Sequence, residues 1–240
     1  MTGCACCSQD CLDKLCAHKI PVFASLSPEE MGRFSSIARH YRYEKGEPIT
    51  LEGEDLNALV ILSEGSAKAY KLTPDGREQI LYVFSQGDFF GERNLLGGRK
   101  SAYTVEALEP VRTCAFGRDE FYALLRANPD IAIKVIEELE KRMERMENAV
   151  QSMGVRSLDS RIGGLLLDFA EKYGDLTSEG VLIRLPLSRE GMANFLGVAR
   201  ETVSRKLSQL EADGILRTVG NKALLLLNGE ELKSLAGKIE

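Results

Sequence analysis

The residues of this 240-residue chain best equipped for chemistry are its six cysteines, and they are unevenly placed. Cys4, Cys6, Cys7, Cys11 and Cys16 fall within the first 16 residues, while Cys114 stands far along the chain. No basic region followed by an apolar core opens the sequence, so no secretory signal is read there. No apolar run approaches the ~20 residues of a membrane span. A cytoplasmic, reducing setting is therefore expected, where clustered thiols bind metals or do redox chemistry rather than form stable disulfides. Iron–sulfur clusters are held by four thiolates, often closely spaced ones plus one distant one. Cys7-x3-Cys11-x4-Cys16 with Cys114 meets that scheme, with Cys4 or Cys6 as an alternative first ligand. A zinc site, a thiol switch or an arm with no cofactor are the other readings. Read alone, Cys114 is equally a small buried hydrophobe. His18, two residues after Cys16, can ligate a metal or lie at the surface.

A second group points to a different chemistry. Residues 188–211 read as two helices around a tight turn. Ser188 is a good N-cap, Ala193 is small where two helices approach, and Gly197 breaks the first helix. Val203, Leu207 and Leu210 recur at four and three residues, the buried stripe of the second helix. Its opposite face carries Arg200, Glu201, Ser204 and Arg205. The second helix of such a pair lies in the major groove of DNA. Arg205 can fork onto guanine O6/N7, Glu201 can accept from a cytosine amine, and Ser204 suits either edge. Arg200, nearer the helix start, can reach a base or a phosphate. Enzyme chemistry finds no support: there is no nucleophile–base pair, phosphate-binding loop or dinucleotide fingerprint, and no motif surrounds either histidine, His18 or His40.

The elements that position these groups follow from pattern. The length allows two domains, and the composition is that of a globular protein. Net charge is −5, but residues 1–155 hold 19 Lys/Arg against 24 Asp/Glu while residues 156–240 hold 12 against 12. The acidity thus sits away from the helix pair, and DNA affinity would rest on local patches and fall with salt. Ser27-Pro28-Glu29-Glu30 predicts a short helix over residues 23–40. Residues 41–116 alternate short β-like runs with turn signals, as in a barrel or sandwich. From Pro129 the period changes. Ile136, Leu139, Met143, Met146, Val150 and Met153 are separated by 3, 4, 3, 4 and 3 residues, the a/d seam of a two-stranded coiled coil. Helix packing on the chain's own β-domain is the other reading. Gly154 and Ser157 mark a hinge, and Ser178-Glu179-Gly180 a loop before a strand over Val181–Leu185. Two apolar runs around Val219-Gly220-Asn221-Lys222 predict a hairpin that makes the last domain a winged helix.

This order of parts resembles the bacterial CRP/FNR transcription regulators, from residue 18 to about 236. The resemblance is carried by Gly87-Asp88-Phe89-Phe90-Gly91-Glu92 and by Arg200-Glu201-Thr202-Val203-Ser204-Arg205. It implies an α+β chain: an N-terminal cyclic-nucleotide-binding-like β-roll of jelly-roll type, a long dimerisation helix and a C-terminal winged helix-turn-helix. The expected boundaries are a Cys-rich arm 1–20, a β-roll sensor 21–128, a dimer helix 129–155 and a DNA-binding domain 156–240. It further implies a homodimer on a pseudo-palindromic DNA site, RNA polymerase as a partner, and base reading by Glu201, Ser204 and Arg205. Glu-x-x-Ser-Arg is similar to the oxygen-sensing branch, whereas Arg200 is similar to the cyclic-AMP branch.

The two branches imply different signals. In the cyclic-nucleotide branch a Gly-Glu bonds the ribose and an Arg-Ser binds the cyclic phosphate. Here Gly91 and Glu92 are followed by Lys100 and Ser101, a point charge where that branch has a planar fork. Its Thr-Ser pair on the dimer helix is replaced near Val150-Gln151. In the oxygen-sensing branch three N-terminal cysteines and one in the β-roll hold a [4Fe–4S] cluster, and Cys114 matches the fourth. The spacings of the first cysteines differ by one from that branch. The expectation is a regulator whose dimerisation and promoter binding follow an oxygen- or redox-labile cluster. The alternatives are a small effector bound near Glu92, Lys100 and Ser101, or a zinc or thiol switch.

Overall fold

The computed structural model describes residues 36–155 and 157–237. The arm cysteines Cys4, Cys6, Cys7, Cys11 and Cys16, His18, and the helix start expected at Ser27 lie outside them. The chain divides into two compact units, one of residues up to Lys71 with Leu81–Glu144, the other of Leu72–Ile80 with Arg145 onward. No helix among the described residues is long and apolar enough to cross a membrane.

The first unit is built on two four-stranded sheets. One runs β1 (Arg39–Tyr43), β8 (Val111–Gly117), β3 (Ala58–Glu64), β6 (Phe89–Phe90). The other runs β2 (Pro48–Thr50), β7 (Thr104–Ala107), β4 (Ala67–Leu72), β5 (Glu78–Phe84). The first sheet is buried on both faces. Val60, Leu62, Phe90 and Ala115 face the second sheet, against Ala69, Phe84 and Val105. Leu59, Ile61, Phe89, Cys114 and Phe116 face the helices instead. That is why β3 is an unbroken apolar run, buried from Leu59 to Ser63, and not an alternating one. The helix expected to reach residue 40 ends sooner, because Arg39 and His40 already belong to β1. Period two explains it: Tyr41 and Tyr43 pack between the sheets, while Ala38 packs on the helix side.

Three helices cover that side: α1 (Glu92–Gly97), α2 (Arg118–Ala127) and α3 (Pro129–Val155). Gly91 starts α1 with φ 93°, and a Cβ there would overlap the Ala58 carbonyl oxygen, so only glycine fits. This turn fixes where Glu92 stands. On α3, Ile131 is fully buried and Val135 nearly so, each stabilising the unit by about 1.5–3 kcal/mol. Leu139, expected in the dimer seam, is packed against this same core. Ile136, Met143 and Met146 of the seam are exposed, as is Ile133. The side chains of Val150 and Met153 lie outside the described residues. The helix therefore carries an inner stripe packed on the β-core and an outer, exposed apolar stripe.

The part of the second unit that follows α3 opens with α4 (Leu158–Tyr173), capped by Ser157, whose hydroxyl accepts from the Ser160 amide. A sheet of order β11 (Leu216–Val219), β12 (Ala223–Leu226), β10 (Gly180–Arg184), β9 (Gly174–Thr177) packs with α5 (Arg189–Leu196), α6 (Arg200–Ala212) and α7 (Gly229–Ala236). β9 is an element the sequence reading did not expect. It pairs with β10 across the Ser178-Glu179 turn, and the strand expected at Val181–Leu185 is Gly180–Arg184. β11 and β12 form the expected hairpin around Gly220, φ 61°. The two units together make the chain α+β, with a β-sheet domain first and a helix-turn-helix domain last.

Candidate nucleic-acid interface and sensor elements

The recognition element is assembled by local rules. The Ser188 hydroxyl accepts from the Gly191 amide at 3.1 Å and so caps α5. Gly197 ends α5 in the left-handed region at φ 67°, its amide donating to Ala193 O. Ala193 is buried, as its small size required. On α6, Val203 and Leu207 are fully buried and Leu210 nearly so. The helix is thereby pinned with its other face outward. Arg200, Glu201 and Arg205 are exposed and Ser204 is half-buried on that face. Among the described residues, no ion pair or hydrogen bond engages these four side chains, which leaves them available to a polar partner.

Further residues set the pose of α6. Lys206 pairs with Asp159 of α4 at 2.5 Å. Arg161 donates to the Leu196 carbonyl at 3.0 Å, satisfying a free acceptor at the end of α5. Glu211 accepts from the Thr218 amide at 2.8 Å and from the Thr218 hydroxyl at 3.0 Å, tying α6 to the wing. The hydrogen bonds from the Thr218 amide and then its hydroxyl hold the Glu211 carboxyl below its ordinary value.

In the first unit, Cys114 is 8% exposed and belongs to the core cluster that also seats Ile131 and Val135 of α3. Its Sγ lies 3.4 Å from His40 Nδ1, and the two residues are opposite each other in the β1–β8 ladder. Among the described residues there is no group of three or more His, Cys, Asp or Glu able to hold a metal ion. Any four-thiolate site must draw the rest of its ligands from the arm.

The residues expected around an effector have other engagements. The Ser101 hydroxyl is buried and donates to the Tyr103 carbonyl at 2.8 Å. Lys100 is exposed. Glu92, with only 12% of its side chain exposed, faces Arg142 of α3 at 3.6 Å, an ion pair too long for a hydrogen bond. Arg142, 13% exposed, also donates to the Phe89 carbonyl. Its guanidinium lies 4.4 Å from the Phe89 ring centroid and 5.6 Å from that of Phe84. Glu92 Oε2 is buried with no hydrogen-bond partner. Burial, with the Glu92 charge nearby, pushes the Tyr103 phenol well up. Burial raises Tyr82 too, against a lowering by Arg142. The chain thus brings its own cation to the carboxylate. Arg142 was not foreseen, although it extends the Ile131, Val135, Leu139 stripe by three residues, a signal that could have found it. His40 was passed over because no motif surrounds it, and its partner Cys114 lies far along the chain.

Two family models match the chain. A cyclic nucleotide-binding domain covers residues 41–128, and a Crp-like helix-turn-helix domain covers residues 160–235. The cAMP-activated global transcriptional regulator CRP of Pasteurella multocida is 30% identical, spanning 78% of this chain and 90% of its own. The nitrogen fixation regulation protein FixK of Bradyrhizobium diazoefficiens is 29% identical over 90% of this chain and 89% of its own. Among solved structures, FixK2 from Bradyrhizobium japonicum superposes with a TM-score of 0.73 at 29% identity, covering 83% of this chain and 97% of that one.

Proposed function

Because the chain belongs to the CRP/FNR family of DNA-binding transcription regulators, we propose that its own signal is read by the Cys-rich arm. Cys7, Cys11 and Cys16, with Cys4 or Cys6 as the alternative to Cys7, would hold a [4Fe–4S] cluster together with Cys114. When bound, that group supplies a tether that oxygen or another oxidant can break. The observation that carries this reading is the seat of Cys114: a soft ligand on the inner strand β8, in the same core cluster as Ile131 and Val135. What holds Cys114 also bears on the start of α3. With the arm tied there, α3 is held for pairing through Ile136, Met143 and Met146, with Leu139, Val150 and Met153 extending the seam. With the arm released, pairing weakens. A pair of chains sets two α6 helices on two half-sites of a pseudo-palindrome, with Arg205, Glu201, Ser204 and Arg200 against base edges and phosphate. RNA polymerase would be the partner of the bound dimer, and the cytoplasm its compartment.

The test is chain purified without oxygen, assayed for iron and sulfide and for binding to a palindromic probe, then again after air. About four irons per chain and tight anaerobic binding, both lost in air and both absent in Cys114→Ser, support the reading. An iron-free chain after anaerobic reconstitution overturns it.

A second reading has its own observation. Glu92 is retained inside a domain matching the cyclic nucleotide-binding model, and its Oε2 lacks a hydrogen-bond partner. A hydroxylated effector there would have to share Glu92 with Arg142. Calorimetric titration with cyclic nucleotides tests it, and no heat at millimolar ligand would dismiss it.

A further inference from the structure

We infer that His40 is a positioning residue for Cys114, donating a hydrogen bond from Nδ1 to a ligating thiolate; this rests on the reading of Cys114 as a cluster ligand. On the helix side of the first sheet, Cys114 is buried in a cluster with Leu59, Ile61, Phe89, Phe116 and Phe121. A half-buried imidazole beside that cluster is costly unless it is hydrogen-bonded. It meets Cys114 Sγ at 3.4 Å, directly across the β1–β8 ladder, so the strand pairing itself aims one group at the other. A neutral thiol is a weak donor and a weak acceptor, and such a bond would contribute little. A thiolate ligand can only accept, so the imidazole donates to it as its Nδ1–H tautomer and the bond is charge-assisted, the stronger kind. The full worth of the pair is therefore realised only when Cys114 is ligated. Hydrogen bonds to ligand sulfurs orient the ligand and set how readily an iron–sulfur centre is oxidised.

The experiment compares wild type, His40→Leu, His40→Asn and Cys114→Ser as full chains, reconstituted without oxygen. Iron and sulfide content and the rate of bleaching in air are read by absorbance, with folding checked by circular dichroism. His40→Leu is expected to keep its iron and sulfide but to bleach about fivefold to tenfold faster. His40→Asn, whose amide can donate from the same place, is expected to return most of the lifetime. Equal lifetimes for wild type and His40→Leu would overturn the inference. Complete loss of iron in both His40 variants, with folding intact, would also overturn it, making His40 a ligand. A Cys114→Ser chain with full iron content would remove the underlying reading as well, and is distinguishable because it does not depend on His40.

Discussion

The ion pair between Glu92 and Arg142 offers the sharpest energetic test of the sensor domain. Both side chains are almost nine-tenths buried, and Glu92 Oε2 has no hydrogen bond of its own. Arg142→Met keeps bulk over Phe89 and Phe84 but leaves a buried carboxylate without its counter-charge. Removing one partner of a buried pair costs about 3–5 kcal/mol. The lost charged hydrogen bond to the Phe89 carbonyl and the lost contact with two aromatic faces overlap with that figure and do not add to it. A loss of about 3 kcal/mol is expected, or roughly 6–12 °C in melting temperature for a chain of this size. The same energy corresponds to about a hundredfold faster exchange of protected amides. Hydrogen exchange over β6 and the α3 segment from Ile131 to Glu147 reads it locally, which suits a chain of two units better than a global melt. Adding Glu92→Gln removes the stranded charge, and the double variant is expected to recover most of the loss. The reasoning fails if Arg142→Met exchanges no faster than wild type, or if the coupling between the two substitutions stays under about 0.5 kcal/mol. Either result would rank the pair with exposed surface pairs.

Three other outcomes follow from the geometry. Arg205→Ala is expected to weaken DNA binding by about 1–3 kcal/mol at one base-pair position and to relax selectivity there, read by anisotropy with permuted probes; equal loss on every probe would make Arg205 a phosphate contact. Met143→Glu places a charge on the exposed stripe of α3, so sedimentation should shift toward monomer and DNA affinity should fall with helicity unchanged, whereas an undiminished dimer would place the interface elsewhere. The lowered Glu211 carboxyl makes its contribution present above the ordinary 4.5 and lost as pH falls through the lower folded value. The Thr218 amide resonance should therefore titrate with a midpoint below 4.5 and cease to titrate in Glu211→Gln; a midpoint at or above 4.5 would contradict the assignment.

The DNA-binding half was legible because its signals are local. A cap at Ser188, a left-handed glycine at Gly197 and a period of three and four over Val203, Leu207 and Leu210 are written within a few residues of each other. Each acts through neighbours along the chain. The β-run after residue 40 was legible as a barrel or sandwich, but which strands share a sheet was not, because β3 is covered on both sides and its pattern carries no alternation. The extra strand β9 went unread because Leu176 is 88% exposed, which leaves its short run without an apolar pattern, and its ladder partner is β10.

The helix pair with its polar face and the apolar stripe of α3 could be argued from residue types and spacing, since backbone propensity, capping and periodicity are short-range, while the family came as a resemblance carried by two short motifs. Tertiary closure decided the rest. Folding β8 beside β1 set Cys114 opposite His40, and laying α3 on the sheet carried Arg142 to Glu92, fifty residues earlier in the chain. Leu139 was drawn to the β-core by the same packing. Such contacts depend on which faces meet when distant segments collapse together, and spacing along a chain does not encode them directly.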